Sequence, residues 1–527
     1  MVYQFSLRRG ASHGVSTQRN GGVDHRRQNP TRAAQAQSAP LRHKKKDNGL
    51  LEHFQALWYQ GAGAFSQQRV AERALTLALG ALVNFGRTTV TGMLCATGQQ
   101  FMDWSAAYRL FSTPRIDTEE LFAVARRTAA QMLKPDQPFV VSMDDTHLHK
   151  TGKKVHGAGW KRDPLGPPFQ TNLIWAQRYL QCAACLPVLD QAGPATSVPI
   201  AFSHAPSPKK PRKNASQEEQ QLYAQKKKEM NLNKVAVQHI HALRNSLDED
   251  GHANRTLWLN VDGSYTNGTI LKALPERTIL TGRIRKDAQL HYPPAGEILS
   301  GPGRRRLYGE HTPTPEQLRL DKECPWQTVR AWAAGKVHDF RIKTIDNVQW
   351  RTAGAQHLLR LVVIAPLGYR LNKQAKLLYR QPAFLICTHP EQALEMVLQH
   401  YLWRWGIEAN HRDEKQLIGV GQAQVRTRNA TNSIPAFLVA VYALLRLAAR
   451  RAAEENGTCQ ELPQPLWNRR KKPQPACTSR LVQQLRAELW GKALGNNFSG
   501  FTKKKRKDAK PDKSIPELAS AVLYALN

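Results

Sequence analysis

The sequence is poor in acidic residues. Its 527 residues include 41 Asp and Glu but 76 Lys and Arg, and with neutral histidines the formal net charge is +35. An excess of positive charge this large attracts polyanions, which makes nucleic acid the expected partner. A membrane surface is the weaker alternative, because no basic helix with an unbroken apolar face stands out in the sequence.

Closely spaced cysteines and long apolar runs are also scarce. The seven cysteines include one short-spaced pair, Cys182 and Cys185. A zinc site usually needs a second such pair, so we expect buried, reduced thiols. The longest apolar run, residues 436–445, is too short to span a bilayer, and the first residues lack the order of a secretory signal. We therefore expect a cytoplasmic protein that does not enter a membrane.

Composition and periodicity divide the chain into six predicted segments. Strands, a lysine-rich helix and a returning strand follow one another after residue 135, an order that indicates an α/β fold with a mixed sheet. The helical module either binds DNA or only packs against the rest of the chain. The segments are a disordered basic arm (1–48), a helical module (49–135), the first part of an α/β core (136–287), a mainly β insertion (288–355), the second part of the core (356–455) and a basic tail (456–527).

Two predicted strands end in an acid that follows a polar residue by two positions. They are "VVSMD", with Ser142 before Asp144, and "LWLNVD", with Asn260 before Asp262. Side chains alternate along a strand, so each polar residue shares a face with its acid. If the strands are parallel neighbours, both carboxylates lie at one edge of the sheet, where open α/β sheets place their sites. Asp145 remains an alternative first acid, and a lone Asp after a strand is more often a turn former.

A third acid is singled out in "YLWRWGIEANHRDEK", residues 401–415. On a helix with about 100° per residue, four side chains share a stripe about 60° wide: Tyr401, Arg404, Glu408 and Lys415. Asp413 and Glu414 fall well off this stripe. The alternative interpretation is an ordinary ion pair between Arg404 and Glu408 on a surface helix.

Carboxylates that converge on one point repel each other unless they share a cation. Mg²⁺ prefers oxygen ligands and suits two or three carboxylates together with phosphate. Two such ions can activate water and stabilise the leaving oxygen when a phosphodiester is cut. In that setting Arg404 and Lys415 would lie where a phosphate backbone passes, and Tyr401 could contact the sugar-phosphate.

These residues resemble a known family. The spacing from Tyr401 through Arg404 and Glu408 to Lys415 is similar to the Tyr-Arg-Glu-Lys signature of bacterial insertion-sequence DDE transposases. "DDTHLHKTGKKVHG" and "VDGSY" resemble the motifs of their first and second acids, and the likeness covers about 136–430 in order.

The resemblance implies an α/β fold with an RNase H-like mixed-sheet core, a β-rich insertion, an N-terminal helical domain and basic tails. The implied catalytic and metal-binding residues are Asp144, Asp262 and Glu408, and the implied DNA-binding residues are Tyr401, Arg404, Lys415 and Tyr265. The implied cofactor is Mg²⁺, as two ions, for which Mn²⁺ can substitute.

The implied activity is cut-and-paste transposition, in which the ends of a mobile element are cut and joined to target DNA. The expected partners are double-stranded DNA, with terminal inverted repeats and a target, and a second copy in a dimer on DNA, in the nucleoid. Two alternatives stay open. They are a catalytically inactive DNA-binding descendant of a transposase and an RNase H-like nuclease without strand transfer.

Overall fold

A helical region precedes the first strand. The computed structural model describes residues 49–163, 166, 172–188, 193–294, 307–370, 374, 376–456, 462, 477–491, 493–494 and 517–525. The predicted basic arm and most of the predicted basic tail lie outside these residues. The helices before the first strand are α1 (Leu50–Gln60), α2 (Gln68–Val83), α3 (Val90–Ala96), α4 (Ser105–Ser112) and α5 (Thr118–Gln131).

Strands and helices then alternate through the rest of the described chain. The strands are β1 (Phe139–His149), β2 (Gly159–Arg162), β3 (Leu173–Pro187), β4 (Ala195–His204), β5 (Leu257–Val261), β6 (Thr278–Arg283), β7 (Gln327–Ala333), β8 (Lys336–Trp350), β9 (Gly354–Ile364), β10 (Gly368–Tyr369), β11 (Leu378–Tyr379) and β12 (Ala383–Cys387). The remaining helices are α6 (Gln217–Glu229), α7 (Leu232–Glu249), α8 (Gly268–Leu271), α9 (Pro315–Leu320), α10 (Leu394–Trp403), α11 (Trp405–Gln416), α12 (Arg428–Asn456), α13 (Thr478–Trp490) and α14 (Glu517–Tyr524).

Three parallel strands form the centre of the main sheet. β1 pairs with β5, with Ser142 opposite Asn260, and β5 pairs with β6. On the other side of β1 lies antiparallel β3, followed by antiparallel β4. The long crossover from β4 to β5 runs through α6 and α7, which is the type of connection that parallel strands require. This arrangement is an RNase H-like core, so the predicted α/β fold class is confirmed.

The β-rich part of the chain continues the same sheet. β12 pairs with β6 in the antiparallel sense, and β9, β8 and β7 follow in that order, so the described residues form a ten-stranded sheet. The period-two pattern of residues 336–350 corresponds to β8. The strands after β6 therefore extend the core at the β6 edge.

Strand β1 is longer than the sequence pattern suggests. The predicted strand ends at Asp144 and Asp145, but β1 continues to His149 because β3 runs beside it and pairs His149 with Ala176. Its parallel partner β5 does stop at Val261. The two acids therefore lie where the parallel pairing of β1 and β5 ends, with a further stretch of β1 beyond them.

Apolar side chains cover both faces of the sheet. Neighbouring residues on β1 belong to different cores, as alternation requires. Val140 packs in one core with Trp258 and with Val397 of α10, whereas Val141 belongs to a larger core that includes α12. Cys182 is buried in β3 as a free thiol, as the sequence predicts for the short-spaced pair.

Helix α12 is the long helix of the larger core. It contacts α1, α5 and β4, and its apolar residues from Phe437 to Leu445 are almost completely buried. By length and composition alone, residues 428–455 could cross a bilayer, but 83% of their most apolar window is buried inside the protein. The apolarity of α12 is thus explained by its place in the core.

Candidate active site

Asp144 and Asp262 lie side by side at the carboxyl edge of the central strands. Each stands two residues after the paired positions Ser142 and Asn260, so the alternation of the strands puts both carboxylates on one face. The Asp262 carboxylate accepts hydrogen bonds from the backbone N–H (2.8 Å) and the hydroxyl (3.4 Å) of Ser264. The turn after β5 therefore orients the second acid, as its sequence "DGS" favours.

Asp145 faces the other side of β1. Its Oδ1 accepts a 2.7 Å hydrogen bond from the hydroxyl of Tyr265, and Tyr265 is fully buried. The sequence-based expectation that Tyr265 contacts DNA does not fit this burial, because the side chain packs inside the core and its hydroxyl is used by Asp145. Tyr265 instead connects the loop after β5 to the strand that carries Asp144.

The helical path continues through the junction between α10 and α11. Arg404 lies at the junction and has helical dihedral angles, φ −50° and ψ −33°. The backbone hydrogen bonds there are of the i→i−3 type: Arg404 N donates to Tyr401 O and Ile407 N donates to Arg404 O, both at 3.1 Å. The helix is tightened for one turn and does not break. The four side chains of the predicted stripe therefore stay on one continuous helical path.

Gly406 has a packing role at this junction. A Cβ added at Gly406 would lie 2.7 Å from the Cβ of Ser197 on β4, closer than carbon atoms can approach without a shift. The glycine therefore lets α11 lie directly against β4. This close approach places the first turn of α11 over the edge that carries Asp144.

Arg404 links the first and third acids. Its Nη2 lies 2.8 Å from Oε1 of Glu408, and its Nη1 lies 3.8 Å from Oδ2 of Asp144. The guanidinium carbon is 5.9 Å from the centre of the Tyr401 ring. The ion pair between Arg404 and Glu408 that is typical of a surface helix is thus present, but here Arg404 also lies close to Asp144 on β1.

Burial and neighbouring carboxylates raise the proton affinity of Asp144. Burial raises the pKa of Asp144 to about 7, and the charges of Asp262 and Asp145 add to the rise, while Arg404 opposes it. Near neutral pH the Asp144 carboxyl therefore carries a proton part of the time. A further positive charge beside Asp144 and Asp262 would stabilise the ionised form of both acids.

The donor set fits a hard divalent cation in its chemistry. Asp144 and Asp262 offer only oxygen ligands, which Mg²⁺ and Mn²⁺ prefer. Burial raises the pKa of Asp144, and the negative charge of Asp262 adds to the rise. In the part of the chain that the structure describes, no three His, Cys, Asp or Glu side chains stand close enough together to hold a metal ion. Glu408 is paired with Arg404 instead.

The other two acids of α11 hold the helix in place. Glu414 is buried and accepts a 2.8 Å hydrogen bond from the side-chain amide of Gln181, and Asp413 accepts one of 2.6 Å from the hydroxyl of Thr478. Lys415, the last residue of the stripe, is half-buried, and burial lowers the pKa of its amine.

Arg283 is a candidate site residue that lies outside the sequence motifs. It closes β6, which runs parallel to β5, so it stands at the same edge of the sheet. Burial raises the pKa of the Tyr401 hydroxyl, and the charges of Arg404 and Arg283 oppose the rise. The signal in the sequence was the end of the third parallel strand, in "ILTGR". The same rule had located Asp262 at the end of β5.

A comparison with known protein families identifies the family of the chain. Residues 62–357, more than half of the chain, match the family model described as DDE superfamily endonuclease. The match includes part of the helical region, Asp144 and Asp262, and it stops before Glu408. No curated protein matched the sequence. Together with the RNase H-like core and the acid pair at its edge, the match shows that the chain belongs to the DDE superfamily endonuclease family.

Proposed function

We propose that the protein is a transposase of the insertion-sequence type, which cuts DNA at the ends of a mobile element and transfers the freed strand into target DNA. The observation that carries the proposal is the position of the helix with the Tyr-Arg-Glu-Lys spacing: Arg404 joins Glu408 to Asp144 at the edge where Asp262 also lies. The family match supports an endonuclease but ends before this helix.

The proposed roles follow from the positions of the side chains. Asp144 and Asp262 would hold the divalent cations, and Glu408 would complete the ligand set. When bound, two Mg²⁺ ions, or Mn²⁺ in their place, activate the attacking oxygen and stabilise the leaving oxygen of the phosphodiester. The donors that the chain itself supplies are oxygen atoms, as these ions require.

Arg404 also has a proposed role, because it lies between Glu408 and Asp144. A DNA phosphate is a bidentate partner of the same type as a carboxylate. When a phosphate enters, Arg404 can exchange Glu408 for the phosphate, which frees the Glu408 carboxylate to turn toward Asp144. DNA binding and completion of the acid triad are thus coupled through one guanidinium group.

Other cations complete the proposed DNA contact. Lys415, in the last turn of α11, and Arg283, at the end of β6, would neutralise phosphates on either side of the reacting one. The partners are double-stranded DNA, with inverted repeats at the ends of the element and a target, and a second copy of the chain in a dimer on DNA. The high net charge of +35 predicts binding that weakens steeply as salt is raised.

The test is cleavage of DNA that carries the ends of the element next to the gene, with Mg²⁺ present. We expect wild-type protein to cut at these ends and to join a precut 3′ end to target DNA. Cutting without joining would instead identify a nuclease. If DNA were bound but neither cut nor joined, the inactive descendant would be correct.

A further inference from the structure

Beyond Asp144 the sheet continues as a three-stranded ribbon. It consists of the end of β1, the first half of β3 and the short strand β2, which pairs with β3 so that Trp160 lies opposite Trp175. The backbone N–H of Lys150 donates to Trp175 O, which continues the ladder past β1. At about 3.3 Å per residue, this end of the ribbon lies about 20 Å from Asp144 along the strand.

Two tryptophans meet at the end of the ribbon. The rings of Trp160 and Trp175 pack edge to face, with centroids 5.6 Å apart and planes at 71°. Trp175 is held by a 3.1 Å hydrogen bond from its indole N–H to Gly152 O, whereas the Trp160 residue is 67% exposed. The fixed ring supports the exposed one, which offers a large apolar surface to solvent.

The surroundings of this ring pair are cationic. Residues 146–162 contain five Lys and Arg and no Asp or Glu. Lys153, Lys154 and Arg162 are exposed, and Lys161 is fixed by a 2.6 Å hydrogen bond to the Ser207 hydroxyl. We call Trp160, Trp175, Lys153, Lys154 and Arg162 the Trp160 platform.

An exposed indole among cations fits one class of partner best. In a DNA duplex the faces of the bases are covered by their neighbours, so a protein meets phosphates and base edges. Unpaired bases expose their faces and stack on aromatic side chains, while Lys and Arg contact the backbone. The combination of an open ring and nearby exposed cations is therefore matched to a single strand.

We propose that the Trp160 platform binds an unpaired stretch of DNA next to the cleavage site, through stacking of a base on Trp160. The proposal rests on the proposed function, since cleavage at the acid edge would create a free strand end, which can separate from its complement. The distance of about 20 Å corresponds to about six base pairs of duplex DNA at about 3.4 Å each. The platform would hold a strand that has left the active site.

The experiment compares binding of the full chain to a labelled oligothymidylate and to a duplex with the same number of phosphates, in EDTA. We expect Trp160→Ala to lower affinity for the single strand about tenfold and to leave duplex affinity unchanged. Trp160→Phe should retain most of the single-strand affinity, because it keeps an aromatic face. Circular dichroism of both variants should match wild type, as expected for an exposed side chain.

The matched control is Trp104→Ala. Trp104 is also exposed, at 56%, and also packs edge to face, against Tyr108 at 5.3 Å, but it stands in the helical region. We expect Trp104→Ala to bind the single strand as wild type does. An equal loss in Trp104→Ala, an equal loss for duplex and single strand, or no loss in Trp160→Ala would overturn the proposal.

Salt dependence separates stacking from charge. Trp160→Ala should shift the plot of log K against log salt without changing its slope, whereas Arg162→Gln should lower the magnitude of the single-strand slope by about 0.7. A Trp160→Ala protein that loses dimerisation, seen by sedimentation, would show that the rings cover a second copy and would refute strand binding. Because no metal or cleavage is needed, this result is independent of whether the protein proves to be a transposase.

Discussion

Glu408 and Glu414 stand on the same helix, α11, yet they occupy opposite surroundings. The Glu408 side chain is 34% exposed and pairs with Arg404 at the edge of the sheet. Glu414 is 1% exposed, bonds to Gln181, and its pKa is raised by burial to about 8. The first turn of α11 is therefore free to take part in chemistry, while its last turn holds the helix on the sheet.

The largest expected effect distinguishes the two glutamates directly. We expect Glu408→Gln to reduce Mg²⁺-dependent end cleavage more than about a hundredfold. Changing a residue that only hydrogen-bonds to a metal ligand already lowers activity or metal affinity about 10–100-fold. Glu414→Gln should cut nearly as well as wild type, because it keeps the hydrogen-bonding shape. Asp262→Asn should behave like Glu408→Gln. Normal cleavage by Glu408→Gln or by Asp262→Asn would remove the proposed triad.

The buried glutamate should show itself in stability against pH. Between the unfolded value of 4.5 and about 8, the unfolded chain releases the Glu414 proton and the folded protein keeps it, so the free energy of unfolding falls as pH rises. Glu414→Gln has no such proton, so its plot of the free energy of unfolding against pH should be less steep by up to about 1.4 kcal/mol per pH unit. Urea unfolding at several pH values measures this. Parallel curves for the two proteins would contradict a protonated, buried Glu414.

The close packing of the first turn gives a third comparison. Gly406→Ala should destabilise the protein by about 1–3 kcal/mol, because the new methyl group meets Ser197 on β4 and overpacking costs about that much. Ser197→Gly removes the opposing carbon, so Gly406→Ala should lower the free energy of unfolding by less in the double variant. Additive losses, measured by denaturant unfolding in a double-mutant cycle, would show that the contact does not limit the position of α11.

The smallest expected effect concerns Arg404 without DNA. The guanidinium of Arg404 competes with a metal ion for the carboxylates of Glu408 and Asp144. Arg404→Gln should therefore raise the Mn²⁺ affinity of the DNA-free protein about fivefold, which matches the free energy of a partly exposed ion pair. The control is Arg412→Gln, since Arg412 pairs with Asp413 on an exposed part of the same helix. Calorimetric titration with Mn²⁺ measures both. A fall in affinity for Arg404→Gln would show that Arg404 supports the ligand set and does not compete with it.

Local patterns were sufficient for several features. Alternation along β1 and β5 predicted that Asp144 shares a face with Ser142 and that Asp262 shares one with Asn260, and the register of the two strands agrees. Asp is a residue type that favours helix N-caps, and the Asp117 side chain accepts a hydrogen bond from the backbone N–H of Glu119 at the start of α5. Each of these depends on residues a few positions apart, where the geometry of a strand or a helix end is nearly fixed.

Other features could not be found from local patterns. The extension of β1 to His149 depends on β3, which lies more than twenty residues away along the chain. Tyr265 is buried in the core, and its hydroxyl bonds to Asp145, 120 residues earlier. A tyrosine of a loop motif is equally compatible with contacting DNA and with packing in the core until its neighbours in space are known.

The sequence by itself determined the α/β class, the excess of positive charge and the stripe that contains Glu408, because composition and helical angle need no partner. Only the tertiary structure decided which acids meet. Arg404 reaches Asp144, and Glu414 reaches Gln181, across separations of more than two hundred residues. The sheet brings those distant segments together, and their burial and charge then fix which carboxylate is exposed at the edge and which is buried.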